Sequence, residues 1–231
     1  MEQRKNLTQL ANEYGSDKGE LVAEGHRYTY LYDLMFHPLR DRALRFLEIG
    51  LARGGPETGG SIERKVLSPS VQMWLDYFPS AHIYGFDICD FSDAEQTRFT
   101  FVRGDSGSEE DLGRLARAAT DFDVILDDAS HASYHQQLAL RVLFPQMAAG
   151  GLYVLEDLHW QSPVFETQLP SVPKTGEFLY RYFIQGVYLE NCLLSKEFME
   201  TLKGRVASFA YFPSFNRFAC PVKLIVLRAA D

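Results

Sequence analysis

Phe122-Asp-Val-Ile-Leu-Asp-Asp-Ala-Ser-His131 is a short apolar run that ends on paired acids, and Gly151-Leu-Tyr-Val-Leu-Glu-Asp157 repeats the pattern. Brief runs of aliphatic and β-branched residues read as strands buried on both faces. Such a strand has no reason to finish on two carboxylates unless charge is met at its end, because burying an unanswered charge is costly. Two strands that do so point to one shared site. In the first, Asp128 and His131 stand three residues apart.

Working outward, Leu44–Ile49, His82–Phe86 and Phe99–Arg103 read as further strands, and Val71–Phe78, Glu109–Ala119 and Tyr134–Phe144 as helices between them. This alternation is the signature of right-handed βαβ units and a mostly parallel sheet covered on both faces. Beyond Pro173 a helical stretch is expected over Gly176–Leu202. Val206–Tyr211 and Val222–Arg228 then read as an antiparallel hairpin closing the sheet edge. The expected fold class is α/β: a doubly wound, mostly parallel seven-stranded sheet, Rossmann-like, with a C-terminal antiparallel hairpin. Residues 1–231 are read as a single domain, with 1–40 as an N-terminal cap segment.

Composition narrows the function. The 231 residues are 46% hydrophobic and 23% charged, near globular averages, with a formal net charge of -8. Nucleic-acid binding relies on Lys and Arg meeting phosphates, so an acidic chain argues against it. The start is polar, unlike a signal peptide, and no apolar run approaches the roughly 20 residues of a membrane span, which makes the cytoplasm the expected location. Cys89, Cys192 and Cys220 are odd in number, far apart and outside any CxxC pattern, which argues against a disulfide framework or a zinc cluster.

Open α/β sheets bind ligands beyond the carboxyl ends of their strands, so the residues just after each strand carry the information. The first strand ends Glu48-Ile-Gly50-Leu-Ala-Arg-Gly-Gly55, an ExGxxxGG pattern rather than GxGxxG. Its glycines let backbone approach a ligand, although a plain strand-turn-helix would also explain them. The second ends on Asp87, where a carboxylate can accept two hydrogen bonds from a ribose diol; a turn or helix-capping aspartate is the alternative. The third ends Arg103-Gly-Asp105-Ser106, able to meet an adenine edge or to cap the helix begun by Ser108-Glu-Glu-Asp.

Together these tips resemble the class I S-adenosylmethionine-dependent methyltransferases. The resemblance sharpens at Asp128-Ala-Ser-His131 with Glu156-Asp157, which is similar to the metal-dependent sugar O-methyltransferases of macrolide and natural-product tailoring. Tyr14-Gly-Ser-Asp-Lys-Gly19 and His26-Arg-Tyr-Thr-Tyr-Leu-Tyr32 also resemble that family's entry segment. The likeness runs over most of residues 12–160 and fades beyond.

The resemblance implies S-adenosyl-L-methionine and Mg²⁺ as cofactors, Asp128, Glu156 and Asp157 as metal ligands, and His131 as catalytic base. Glu48, Gly50, Asp87, Asp105, Ser106, Asp127, Tyr28 and Thr29 fall to the cofactor, with Asp127 at its methionine end. Residue chemistry agrees: three carboxylates without a soft donor suit a hard cation. A metal lowers the pKa of a hydroxyl, and a nearby neutral His can take the proton.

The implied activity is O-methylation of a hydroxyl, on a sugar, of a small-molecule natural product. Alternatives are a phenolic or polyketide hydroxyl, or a cofactor-binding relative that methylates nothing. A homo-oligomer remains open. Residues 54–69, an apparent insertion for this family, and 158–175 read as candidate lid loops. His135 and His159 read as helix-face or lid residues, and tyrosines 28, 30 and 32, alternating with period two, as packing or a wall over the cofactor.

Overall fold

The computed structural model describes residues 4–22, 25–54, 62–63, 65–158, 161–213 and 222–231. The strands are β1 (Arg45–Ile49), β2 (Arg53–Gly54), β3 (Ile62–Glu63), β4 (His82–Asp87), β5 (Phe99–Arg103), β6 (Phe122–Asp127), β7 (Met147–Leu155), β8 (Val206–Phe212) and β9 (Leu224–Ala229). Seven of them form one sheet in the order β5-β4-β1-β6-β7-β9-β8. The first five in that order run parallel, and β9 is antiparallel to both β7 and β8. This is the expected doubly wound sheet with its C-terminal hairpin. β2 and β3 form a separate small ribbon.

The helices are α1 (Leu7–Tyr14), α2 (Tyr28–Phe36), α3 (Pro69–Tyr77), α4 (Glu109–Ala118), α5 (Ser133–Leu143), α6 (Pro163–Gln168), α7 (Thr175–Tyr180) and α8 (Lys196–Arg205). The core lies in two layers, one on each face of the sheet. α1, α2 and α3 cover one face, packing Phe36 and Trp74 on Phe46 and Tyr32 on Phe36 and Trp74. α4, α5, α7 and α8 cover the other, around Ile125, Leu140 and Tyr153.

Two expectations are corrected. The stretch Gly176–Leu202 is not one helix. α7 passes into a wider π turn at Arg181–Gln185, and Gly186 ends it in the left-handed conformation (φ 70°). Asn191 then accepts from the backbone of Leu193 and Leu194, and Ser195 caps α8. Glycine and short polar side chains break the periodic pattern here. Tyrosines 28, 30 and 32 belong to a helix, so Tyr28 and Tyr32 share its buried face while Tyr30 is 49% exposed. Among the described residues, no helix is long and apolar enough to cross a membrane.

The sheet places the site. From β1 the chain works outward to β4 and β5, then returns to β6 on the other side of β1, so strand order reverses between β1 and β6. The strand tips are tied to one another there. Gly50 N donates to Phe86 O at 2.9 Å, Asp128 N to Ile49 O at 2.9 Å and Glu156 N to Asp127 O at 3.0 Å.

Candidate active site

A cavity of about 360 Å³ opens beyond these tips, within the range of small-molecule sites. Its floor is the backbone from Ile49 to Ala52. Gly50 has φ +88°, and a Cβ there would stand 2.6 Å from Ala129 Cα and overlap the Asp128 carbonyl, so only glycine lets β1 and β6 finish this close together.

On one side of the switch point, Asp87, Asp105 and Ser106 line the cavity. Asp87 Oδ2 accepts from Leu51 N at 2.6 Å and Ala52 N at 3.0 Å, and Oδ1 accepts from Cys89 N at 2.7 Å. The strand-tip carboxylate therefore shapes the glycine turn as well as facing the cavity. Asp105 Oδ1 accepts from Gly107 N at 2.7 Å, while the α4 cap is Ser108, so Asp105 is not the helix cap.

His135 also lines this side. Its Nδ1 lies 2.6 Å from Ser130 Oγ, its ring packs on Phe165 with centroids 5.2 Å apart, and burial lowers its pKa. Phe165 stands on α6, in the segment read as a lid. Ile62 and Pro69 reach the cavity from the other candidate lid, whose residues 55–61 and 64 lie outside the described residues, as does His159.

Across the switch point, Asp128, His131 and Asp157 converge on the cavity, and one donor atom from each lies within 4.8 Å of the others. His131 Nε2 is 3.8 Å from Asp157 Oδ2. Asp128 does not cap α5, whose N-cap is Ala132 without a side-chain bond. His131 (φ 59°) and Asp157 (φ 52°) are both left-handed, a conformation that non-glycine residues hold only when surroundings impose it.

Asp157 is densely held. Its Oδ1 accepts from Tyr28 OH at 2.7 Å and lies 3.6 Å from Lys223 Nζ and 3.7 Å from His26 Nδ1. Burial alone would raise its pKa, but His131, His26, Tyr28 and Lys223 outweigh it and keep the carboxyl well below the usual range.

Glu156 does not line the cavity but sits directly behind two residues that do, Lys18 and Asp128. Its Oε2 accepts from Lys18 Nζ at 2.9 Å and its Oε1 from Tyr32 OH. Burial, with repulsion from Asp128, pushes its pKa well up. Lys18 Nζ also bonds Asp128 Oδ2 and lies 3.6 Å from Glu48 Oε1. Burial opposes the charge on Lys18, yet Asp128, Glu156 and Glu48 overcome it and raise its pKa well above normal.

Three residues assigned to the cofactor in the sequence do not line the cavity. Glu48 is fully buried beneath it, accepting from Ser70 Oγ at 2.8 Å and Trp74 Nε1 at 3.2 Å, with its pKa pushed up by burial to about 7. Asp127 is buried at the tip of β6, near Tyr153, with Oδ2 unbonded among the described residues. Thr29 Oγ1 meets Thr8 Oγ1 at 2.9 Å and ties α2 to α1. A fourth, Tyr28, is not a lining residue either; it meets the site through its bond to Asp157 and its stacking on His26, with ring centroids 5.3 Å apart.

Lys18, His26 and Lys223 were not assigned roles from sequence. Lys18 and His26 lie within Tyr14–Gly19 and His26–Tyr32, but no spacing rule says that a loop lysine will cross to carboxylates 110 and 138 residues away. Lys223 precedes the last strand and carried no signal.

Mycinamicin VI 2''-O-methyltransferase of Micromonospora griseorubida is 37% identical over 158 residues, covering 67% of this chain and 36% of that protein. The 8-demethyl-8-alpha-L-rhamnosyl tetracenomycin-C 2'-O-methyltransferase of Streptomyces olivaceus is 36% identical over 188 residues, covering 79% and 46%. Among solved structures, the MycE methyltransferase of mycinamycin biosynthesis, in complex with Mg and SAH, superposes with a TM-score of 0.70 at 25% identity over 99% of this chain and 54% of that one.

The chain belongs to the class I S-adenosylmethionine-dependent methyltransferases. Its curated relatives are sugar O-methyltransferases of natural-product pathways, and the chain spans less than half of the two relatives' lengths given above. No protein-family model matches it.

Proposed function

We propose that this chain is an S-adenosyl-L-methionine- and Mg²⁺-dependent O-methyltransferase acting on a sugar hydroxyl of a small natural product. The observation that carries the reading is the convergence of Asp128, His131 and Asp157 on one cavity, at the point where strand order reverses. Methylating relatives of 36–37% identity support the reaction class.

The residues fit a hard cation. Asp128 and Asp157 offer carboxylate oxygens at the cavity, and Glu156 stands next to Asp157 just past the end of β7. Asp128 and Asp157 would hold the ion, with Glu156 joining them if its oxygens leave Lys18 and Tyr32. When bound, a divalent cation makes an acceptor hydroxyl more acidic. His131 Nε2 faces the same space and is the atom that would take the hydroxyl proton. Asp87, Asp105 and Ser106 would hold the nucleoside end of the cofactor. Phe165, Ile62 and Pro69 would help exclude water and orient the acceptor, which is most of what methyl transfer asks of a protein.

We read residues 1–231 as one methyltransferase domain, acting in the cytoplasm, with 54–69 and 158–175 as its lids. Release of S-adenosylhomocysteine from a panel of rhamnosides and macrolide glycosides tests the function. Turnover should stop with EDTA and return with Mg²⁺. Chelator-insensitive turnover would remove the metal role, and turnover confined to phenols would reassign the acceptor.

A further inference from the structure

Lys18 is a fully buried lysine that the methyl-transfer reading leaves without a task. It arrives from the turn between α1 and α2, where its carbonyl accepts from Thr29 N at 3.1 Å. The side chain is 2% exposed and ends between Asp128 and Glu156, the two acid-tipped strands, with Glu48 at 3.6 Å. A lysine has three donors and no acceptor, and carboxylate oxygens surround this one.

An internal ion pair gains little stability over well-packed apolar groups, because desolvation offsets the attraction. Stability alone is therefore a weak reason for a lysine here. Its placement on Asp128, which also faces the cavity, supplies a better one.

We infer that Lys18 is a positioning residue of the metal site, an internal counter-cation that shares Asp128 and Glu156 with the divalent ion. It holds the tips of β6 and β7 together when no metal is bound. It also engages carboxylate charge that the metal would otherwise have, so it fixes the shape of the site and moderates its affinity. This assignment rests on the metal-dependent function proposed above.

The test is Mn²⁺ binding, followed by electron paramagnetic resonance of the free ion, together with thermal melting with and without Mn²⁺. Lys18→Met should bind Mn²⁺ at least about tenfold more tightly than the unsubstituted chain, since a like charge has left the site. It should also melt lower without metal and recover most of the difference when Mn²⁺ is added. Lys18→Arg, which keeps the charge, should stay within about threefold of the unsubstituted affinity. If Lys18→Met does not fold without metal, Lys18→Gln keeps a polar terminus and carries the same expectation.

Unchanged or weaker Mn²⁺ affinity in the neutral variants, with a melting loss that metal does not restore, would make Lys18 a packing residue and overturn the inference. Failure of the unsubstituted chain to bind Mn²⁺ is a separate result. It would remove the metal from the proposed function and this role of Lys18 with it.

Discussion

His131 and Asp157 are the residues at which local preference and function part. Both hold left-handed backbone that costs a non-glycine residue about 1–2 kcal/mol, and both face the cavity. Strain of this kind persists where neighbours over-determine the conformation, here the contacts that Tyr28 and Lys223 make with Asp157. His131→Ala should lower kcat by about 10²–10⁴ if the imidazole is the base. His131→Gly should lose as much activity yet unfold at higher denaturant than His131→Ala, by about 1 kcal/mol, because glycine accepts φ 59° freely. Equal stability of the two variants would remove the strain argument, and an undiminished kcat with chemistry limiting would remove the base.

Asp127, beside the site, offers a pH test. Burial raises its pKa from the ordinary 3.8 to about 7, so the folded protein binds this proton more tightly than the unfolded chain does. Stability from that proton is fully present below about pH 4 and is lost as pH rises through about 7. A shift of about three pKa units corresponds to a few kcal/mol. Asp127→Asn should therefore be more stable than the unsubstituted chain at pH 8 and nearly equal to it at pH 4, measured by urea unfolding at both. The same gain at both pH values would show that the carboxylate is not buried at a cost.

At the scale of elements, the site is an agreement between strand tips, and Gly50 is where it is tightest. Gly50→Ala places a methyl against Asp128 and Ala129 backbone at a positive φ. The expected loss is at least about 2 kcal/mol, with weaker binding of S-adenosylhomocysteine by calorimetry. An unperturbed affinity would mean that the tips can separate without harm to the site.

Much of this scale was legible in the sequence because it rests on local rules. Apolar runs such as Val124–Leu126 give strands by burial on both faces, and Ser108 ahead of three acids gives the start of α4. What was not legible depends on contacts remote in the chain or on a competing period. Tyr28, Tyr30 and Tyr32 fit a period of two as well as one helical turn, and it is the packing of Tyr28 on Tyr32, and of Tyr32 on Phe36 and Trp74, that decides for the helix. Asp127 and Asp128 are identical in type, yet one-residue alternation buries Asp127 away from the lining, although the family resemblance assigns it to the cofactor, and brings Asp128 to the cavity. Lys18 meets its partners only because α1 and α2 fold over the tips of β6 and β7.

Across the whole molecule, the cavity gathers the ends of β1, β4, β5, β6 and β7, so its ligands touch the elements that must all be present in the folded state. A ligand held there binds the folded chain and not the unfolded one, and stabilises it by RT ln(1 + [L]/Kd), about 2.7 kcal/mol at a hundredfold excess over Kd. S-adenosylhomocysteine should therefore raise the melting temperature in proportion to the logarithm of its concentration. Because Asp87, Asp105 and Ser106 lie across the switch point from Asp128 and Asp157, that rise should survive EDTA. Mg²⁺ should add a second increment, lost in Asp157→Asn, while the rise due to S-adenosylhomocysteine remains. Were Asp157→Asn to lose both increments, the two halves of the cavity would be a single binding unit. Were S-adenosylhomocysteine to leave the melting temperature unmoved at millimolar concentration, the cavity would not be the nucleoside site that the order of the strands marks out.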